Sequence, residues 1–131
     1  MKRLQPPGWM QPKGYSNGVS VRGQLVFVAG QVGWDAQCRF QTDDFVGQVE
    51  QALKNVVAVL AEAGARPEQI VRMTWYVLDK NEYLGAQKQV GRVFREIIGT
   101  YGAAMTAVQV AGFVEEGARV EIEVTAVIPD A

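Results

Sequence analysis

Histidine is absent from the 131-residue chain. Its absence removes the commonest general base and the commonest metal ligand together. Ser-His-Asp and Cys-His nucleophile systems are excluded, and no metal site is expected. Cysteine occurs once, as Cys38, so no intrachain disulfide can form and a reducing compartment fits. That thiol reads as an incidental loop residue. No apolar run approaches the ~20 residues needed to cross a bilayer. The N-terminal stretch MKRLQPPGWMQPKG is polar and rich in Pro and Gly, so neither a secretory leader nor a membrane anchor is expected, and the expected location is the cytoplasm. An excess of one charge is also lacking. Thirteen Lys and Arg stand against 14 Asp and Glu, for a net charge of −1. A nucleic-acid binder usually carries a basic footprint, and none is visible. Any catalysis must therefore rest on carboxylates, tyrosines, lysines, backbone groups or held water.

What is present suits one folded unit. The length is that of a typical single domain, and 48% hydrophobic residues can build a core. Residues 1–131 read as one domain with an irregular arm over residues 1–14. Val19–Arg22 and Leu25–Ala29 are short apolar runs around Gly23-Gln24, which predicts a hairpin. Trp34–Thr42 reads as a polar loop. Asp43 or Thr42 can cap a helix whose apolar face is Phe45, Val49, Leu53, Val56, Val57 and Leu60, with Gly64 as its stop. Ile70–Leu78 alternates as a strand, with Val71, Met73, Trp75 and Val77 on one side and Arg72, Thr74 and Tyr76 on the other. Asn81 can cap a second helix that buries Tyr83, Ala86, Val90, Phe94 and Ile97 and ends at Gly99. The stretch from Tyr101 to Val127 reads as two strands, Met105–Ala111 and Arg119–Ile128, joined by a glycine-containing turn. The predicted order is ββαβαββ, an α+β fold whose two helices cover one face of a mostly antiparallel sheet. The other sheet face then needs solvent, a ligand or another subunit.

On the last strand Glu121 and Glu123 leave the same face, roughly 7 Å apart. A desolvated carboxylate beside another carboxylate gains proton affinity and can hold and activate water. A solvated or interface-facing charged strand gives the same alternation. On the neighbouring strand Met105, Ala107, Gln109 and Ala111 share a face of small or neutral side chains, suited to a pocket floor. Tyr15 offers a hydroxyl near the Ser16-Asn17-Gly18 turn, and Trp34 is placed either to pack on the first helix or to cover a pocket.

Five motifs in order resemble those of the Rid family, also called YjgF or L-PSP. They are Tyr15-Ser16-Asn17-Gly18, the run VAGQV ending at Val32, the helical NVVAVLAEAGA, the strand from Ile70 followed by Leu78-Asp79, and the C-terminal VEIE. The resemblance covers roughly residues 14–127. It implies a chorismate-mutase-like fold in which three subunits close their sheets into a central barrel. Clefts would lie between adjacent subunits of this homotrimer. The implied activity is hydrolysis of small enamines and imines such as 2-aminoacrylate, with no metal or organic cofactor. Carried over by position, Glu121 matches the glutamate that holds the hydrolytic water. Tyr15 matches the entrance tyrosine, and Gly30 and Gln31 match the backbone lining the cleft. Gln87 stands where many members have asparagine, and Ala107 where several have cysteine or threonine. One departure is decisive. The family's carboxylate-gripping arginine is replaced by Met105, within Ala103-Ala104-Met105-Thr106, which removes charge-assisted bonds of about 1.5–3 kcal/mol each.

Three readings follow. The first is an enamine or imine deaminase-type hydrolase acting on, or binding, a small molecule without a free α-carboxylate, with Arg119 or Arg22 as conceivable replacements for the lost cation. The second is a non-catalytic trimeric ligand-binding or chaperone-like protein. The third and weakest is an endoribonuclease, against which the acidic balance and the lack of a basic-aromatic track weigh.

Overall fold

The structure is a computed structural model that describes residues 1–99 and 102–131, so Tyr101 at the head of the C-terminal stretch lies outside the described residues. The elements are β1 (Lys2–Leu4), β2 (Gly18–Ser20), β3 (Gly23–Val32), α1 (Phe45–Glu62), β4 (Ile70–Val77), α2 (Lys80–Gly85), α3 (Gln87–Ile97), β5 (Ala104–Gln109) and β6 (Val120–Pro129). A short 3-10 turn over Pro67–Gln69 leads into β4. The main sheet has the order β3-β6-β4-β5. Strand β6 is antiparallel to both β3 and β4, and β4–β5 is parallel, bridged by α2 and α3.

The expected α+β fold is present, with specific differences. The hairpin around Gly23-Gln24 does not form. Strand β2 instead pairs with β1, so the arm carries a strand at Lys2–Leu4 and is not wholly irregular. Gly23 adopts φ +153, and a Cβ there would collide with the Ile128 carbonyl. The chain leaves β2 after Ser20 and enters β3 at this glycine, against the end of β6, with Gly23 opposite Pro129.

Helix α1 begins one residue later than expected. Asp44 is the N-cap, its Oδ2 accepting from Gly47 N at 2.9 Å, while Thr42 Oγ1 accepts from Asp44 N at 3.0 Å. Val49, Ala52, Leu53, Val56 and Leu60 are fully buried, and Gly64 takes the left-handed φ of +73 just past the helix end. The second helix is capped by Asp79, not Asn81, with Asp79 accepting from Asn81 N and Glu82 N. It breaks at Ala86 into α2 and α3. Strand β4 ends at Val77, and a register shift between Ile70 and Arg72 puts Ile70, rather than Val71, into the core.

The core lies between the helices and one sheet face, built from Ile70, Met73, Trp75 and Val77 of β4 and Val120, Ile122, Val124 and Ala126 of β6. Its aromatic centre is Trp75, with Tyr83 and Phe94 rings 6.2 and 6.4 Å away. The opposite sheet face carries Leu25 and Phe27 of β3, Glu121, Glu123 and Thr125 of β6, and Arg72, Thr74 and Tyr76 of β4. Phe27 is 73% exposed there, a large apolar side chain on an uncovered face.

Gln48 ties the site-forming loop to this core. It is fully buried and makes three hydrogen bonds. Nε2 donates to the carbonyls of Thr42 at 3.1 Å and Gly117 at 2.9 Å, and Oε1 accepts from Arg119 N at 2.8 Å. Gly33 permits the approach, since a Cβ there would meet the Gln48 backbone at 2.5–2.6 Å.

Candidate active site

Glu121 sits on β6 opposite Tyr76 of β4 and Val32 of β3. Beside it β3 is irregular. Its register with β6 shifts between Val28 and Gln31, leaving Ala29 and Gly30 out of the ladder. Such bulges bend a strand and re-aim what lies next to it. A Cβ at Gly30 would collide with Oε2 of Glu121. The glycine is therefore needed for the carboxylate to lie against the β3 backbone. Gln31 is half-buried, and its Nε2 donates to the Ala29 carbonyl at 3.1 Å, closing the bulge.

Glu121 opens onto a cavity of about 300 Å³ lined by Tyr76, Val110, Gly112, Phe113, Val114, Glu121 and Glu123. Burial raises its pKa above the ordinary 4.5, and the charges of Glu115 and Glu123 push the same way. The neighbouring carboxylate is spoken for: Tyr76 Oη donates to Glu123 Oε1 at 2.6 Å. That bond, with desolvation and the nearby glutamates, raises the Tyr76 pKa above 10.0. The two glutamates expected to share a face do so in unlike states. Glu121 holds its proton more tightly, while Glu123 is the acceptor of a short phenol bond.

The other expected site residues lie elsewhere. Met105 pairs with Met73 and Ala107 with Trp75, so both belong to the helix-facing side of β5. Met105 packs against the core and Ala107 is exposed. Met105, Ala107 and Gln109 share a face as expected, but their strand is not the neighbour of the Glu121 strand, because β4 lies between β5 and β6. Strand β5 ends at Gln109, and within one chain its face is the one opposite Glu121. Gln109 itself accepts from Lys80 N at 2.8 Å. Tyr15 comes just before the link to β5: Ser16 N donates to the Ala103 carbonyl at 3.0 Å, and Ser16 bridges Ala104. Tyr15 is 42% exposed, in a surface hollow with Trp9, Met10 and Lys13. Gln87 is exposed at the start of α3, donating to the Tyr83 carbonyl at 3.2 Å.

The single chain thus brings together Gly30, Gln31 and Glu121, while Met105 and Ala107 lie on β5 and Tyr15 precedes the Ser16 bridge to the start of that strand. Arg119 does not replace the missing cation. It lies just before β6, where Nη1 contacts Glu82 at 3.2–3.3 Å and Nε donates to the Asp43 carbonyl at 2.6 Å. Trp34 packs on Phe40, ring centroids 5.6 Å apart, and its carbonyl accepts from Asn55 of α1 at 2.8 Å. Cys38 is an exposed loop thiol at φ 61. Sequence reading missed Tyr76 and the Phe113–Val114 wall. Alternation put Tyr76 on the correct face, but only the cross-strand register sets it opposite Glu121.

Among the described residues no helix is long and apolar enough to cross a membrane, and no group of three or more His, Cys, Asp or Glu side chains could hold a metal ion. The model of the family described as endoribonuclease L-PSP matches residues 10–128. The chain belongs to this family, the Rid or YjgF family. A RutC family protein from Aquifex aeolicus is 34% identical over 131 residues, covering 97% of this chain and 99% of its own. The 2-iminobutanoate/2-iminopropanoate deaminase of Salmonella typhimurium is 31% identical over 113 residues, 86% of each chain. A crystal structure of a conserved Rid family protein of unknown function from Yersinia pestis superposes with a TM-score of 0.72 at 28% identity, covering 97% of this chain and 98% of that one. The fold is accordingly the chorismate-mutase-like fold of the Rid proteins.

Proposed function

We propose that this Rid protein acts as a cytoplasmic homotrimer on a reactive imine or enamine that lacks a free α-carboxylate. The Glu121 cavity of one copy would be completed by the Tyr15, Met105 and Ala107 edge of the next, with Gln87 at the rim. The separation of these residues within one chain supports a shared site, as does the uncovered sheet face carrying Phe27. The observation that carries the chemistry is Glu121 itself, a half-buried carboxylate of raised proton affinity seated against a glycine bulge at an apolar-walled cavity. Such a group can take a proton from an attacking water near neutral pH and return it to the departing nitrogen. The Salmonella relative's name supports the imine class. Met105 argues against an anionic imino acid, because a carboxylate there would be desolvated with no cationic partner.

The test is ammonium release from a panel of neutral and aromatic imines, with Glu121→Gln as control. No release from any member, and a variant indistinguishable from the native chain, sinks the deaminase reading. A second reading is a ligand-binding protein without turnover, which the core packing of Met105 favours. It predicts thermal stabilisation by such ligands with no ammonium formed. The family's ribonuclease label receives no support from this site, whose charged groups are carboxylates that repel phosphate.

A further inference from the structure

We propose that the Glu121 cavity selects a cationic substrate, the protonated imine of an aryl or alkyl amine bearing no carboxylate. This rests on the site proposed above and narrows its substrate class. Among the described residues the charged side chains in the cavity wall, Glu121 and Glu123, are both acidic and none lining it is basic. Glu115 adds its negative field to Glu121. The residues proposed to complete the site from a second copy are Tyr15, Met105, Ala107 and Gln87, and none of them carries a charge. Arg119 is held away by Glu82 and the Asp43 carbonyl. Arg72 shares the sheet face but lines the adjoining hollow with Phe27 and Thr125. Glu123 borders that hollow too, and the Arg72 charge reaches Tyr76, whose pKa it lowers against the larger opposing effects of Glu123 and burial. Arg72 offsets part of the acidic field without entering the Glu121 cavity.

The rest of the wall suits an organic cation more than a hydrated metal ion. Phe113, Val110 and Val114 contribute apolar surface, and the rings of Phe113 and Tyr76 can face a positive charge. A cation bound beside Glu121 also draws its carboxyl back toward the ionised form that the reaction needs.

The chemistry balances with water as the only co-reactant. Water adds to the iminium carbon, and the C=N π pair moves to nitrogen. Glu121 accepts the proton that the water loses, giving a neutral carbinolamine. Glu121 then passes that proton to the amine nitrogen. The C–N bond breaks as the hydroxyl forms the carbonyl, and the hydroxyl proton leaves with ammonia. The sum is iminium plus water to carbonyl compound plus ammonium, with no redox change.

Three ligands of matched shape separate the possibilities on the full chain: benzylammonium, benzyl alcohol and benzoate, titrated by calorimetry at low and high salt. Benzylammonium is expected to bind at least ten-fold more tightly than either other ligand, and to weaken with salt. Glu121→Gln and Glu123→Gln are each expected to weaken it ten-fold or more, with both variants melting cooperatively. Equal binding of alcohol and ammonium, unaffected by Glu121→Gln, overturns the charge preference while leaving imine turnover intact. Preferred binding of benzoate also overturns it, and its loss in Arg3→Gln would trace the anion to the guanidinium lying beside Gly102. Ammonium binding without turnover of any imine upholds the charge preference and removes only the deaminase reading.

Discussion

Gln48→Met tests whether one buried amide holds the site loop to the core. The substitution keeps length and shape but removes three hydrogen bonds. It leaves two carbonyls, Thr42 and Gly117, and one N–H, Arg119, without those partners. At about 1–1.5 kcal/mol for each bond, the loss is about 3–4.5 kcal/mol. The thioether recovers roughly 1–2 kcal/mol of transfer free energy, leaving a net cost of about 1–3.5 kcal/mol. A chain of this length has total stability on the order of 7–20 kcal/mol, so the midpoint of a urea titration should fall clearly, at unchanged slope. Gln48→Glu should cost more at neutral pH. It keeps the acceptor for Arg119 N, loses both donors and buries a charge facing two carbonyls. Its carboxyl pKa would be raised, so its added penalty should shrink as pH falls and the group becomes protonated. A Gln48→Met loss below about 0.5 kcal/mol, the range of ordinary surface changes, would refute the claim that these bonds anchor the loop. A Glu variant whose deficit grows on acidification would refute the electrostatic part.

Other perturbations probe the site directly. Gly30→Ala should fold with stability within about 1 kcal/mol of the native chain, because Gly30 is outside the left-handed region and the atoms it meets belong to the flexible Glu121 side chain. Displacing that carboxylate by about 1 Å should nevertheless lower ligand binding or turnover by ten- to a hundred-fold, and a variant as active as the native chain would remove Glu121 from the mechanism. Because the folded pKa of Glu121 is raised, its contribution to stability is full below about pH 4.5 and is lost as pH rises through the folded value. Glu121→Gln should therefore raise the melting temperature at neutral pH, and the gain should vanish toward pH 4. Arg119→Ala, which breaks the Glu82 pair and the bond to the Asp43 carbonyl, should cost about 1–2 kcal/mol in chemical denaturation with the charge preference of ligands unchanged.

The sequence made legible those features set by local patterning. The apolar stripe of α1 and the alternation of β4 and β6 appear where spacing predicts them, because each is dictated by one buried face. Caps moved by a residue or two because Asp43, Asp44, Asp79 and Asn81 all have suitable chemistry and only the fold chooses among them. The hairpin at Gly23 was misread because a glycine between two apolar runs marks a turn in either topology. The true partner of β3 lies about a hundred residues away. The site was half legible for the same reason. Glu121 and Glu123 follow from alternation within one strand, whereas Met105's face and Tyr76's pairing depend on register between strands. Gln48 gave no signal, since a glutamine on a helix reads as surface until its partners are known.

The strand order has a consequence for how the chain comes to be folded. Strand β6, the last in chain order here, lies inside the sheet between β3 and β4, so the sheet has no centre until β6 is in place. Until β6 has been made, α1 can pack on β3 and α3, and β4 can pair with β5, but these parts have no strand to join them. Pairing Gly23 with Pro129 then closes one of the longest loops the chain permits, a topology associated with slow folding. Deleting β6 residues should thus loosen β3, β4 and α1 at once.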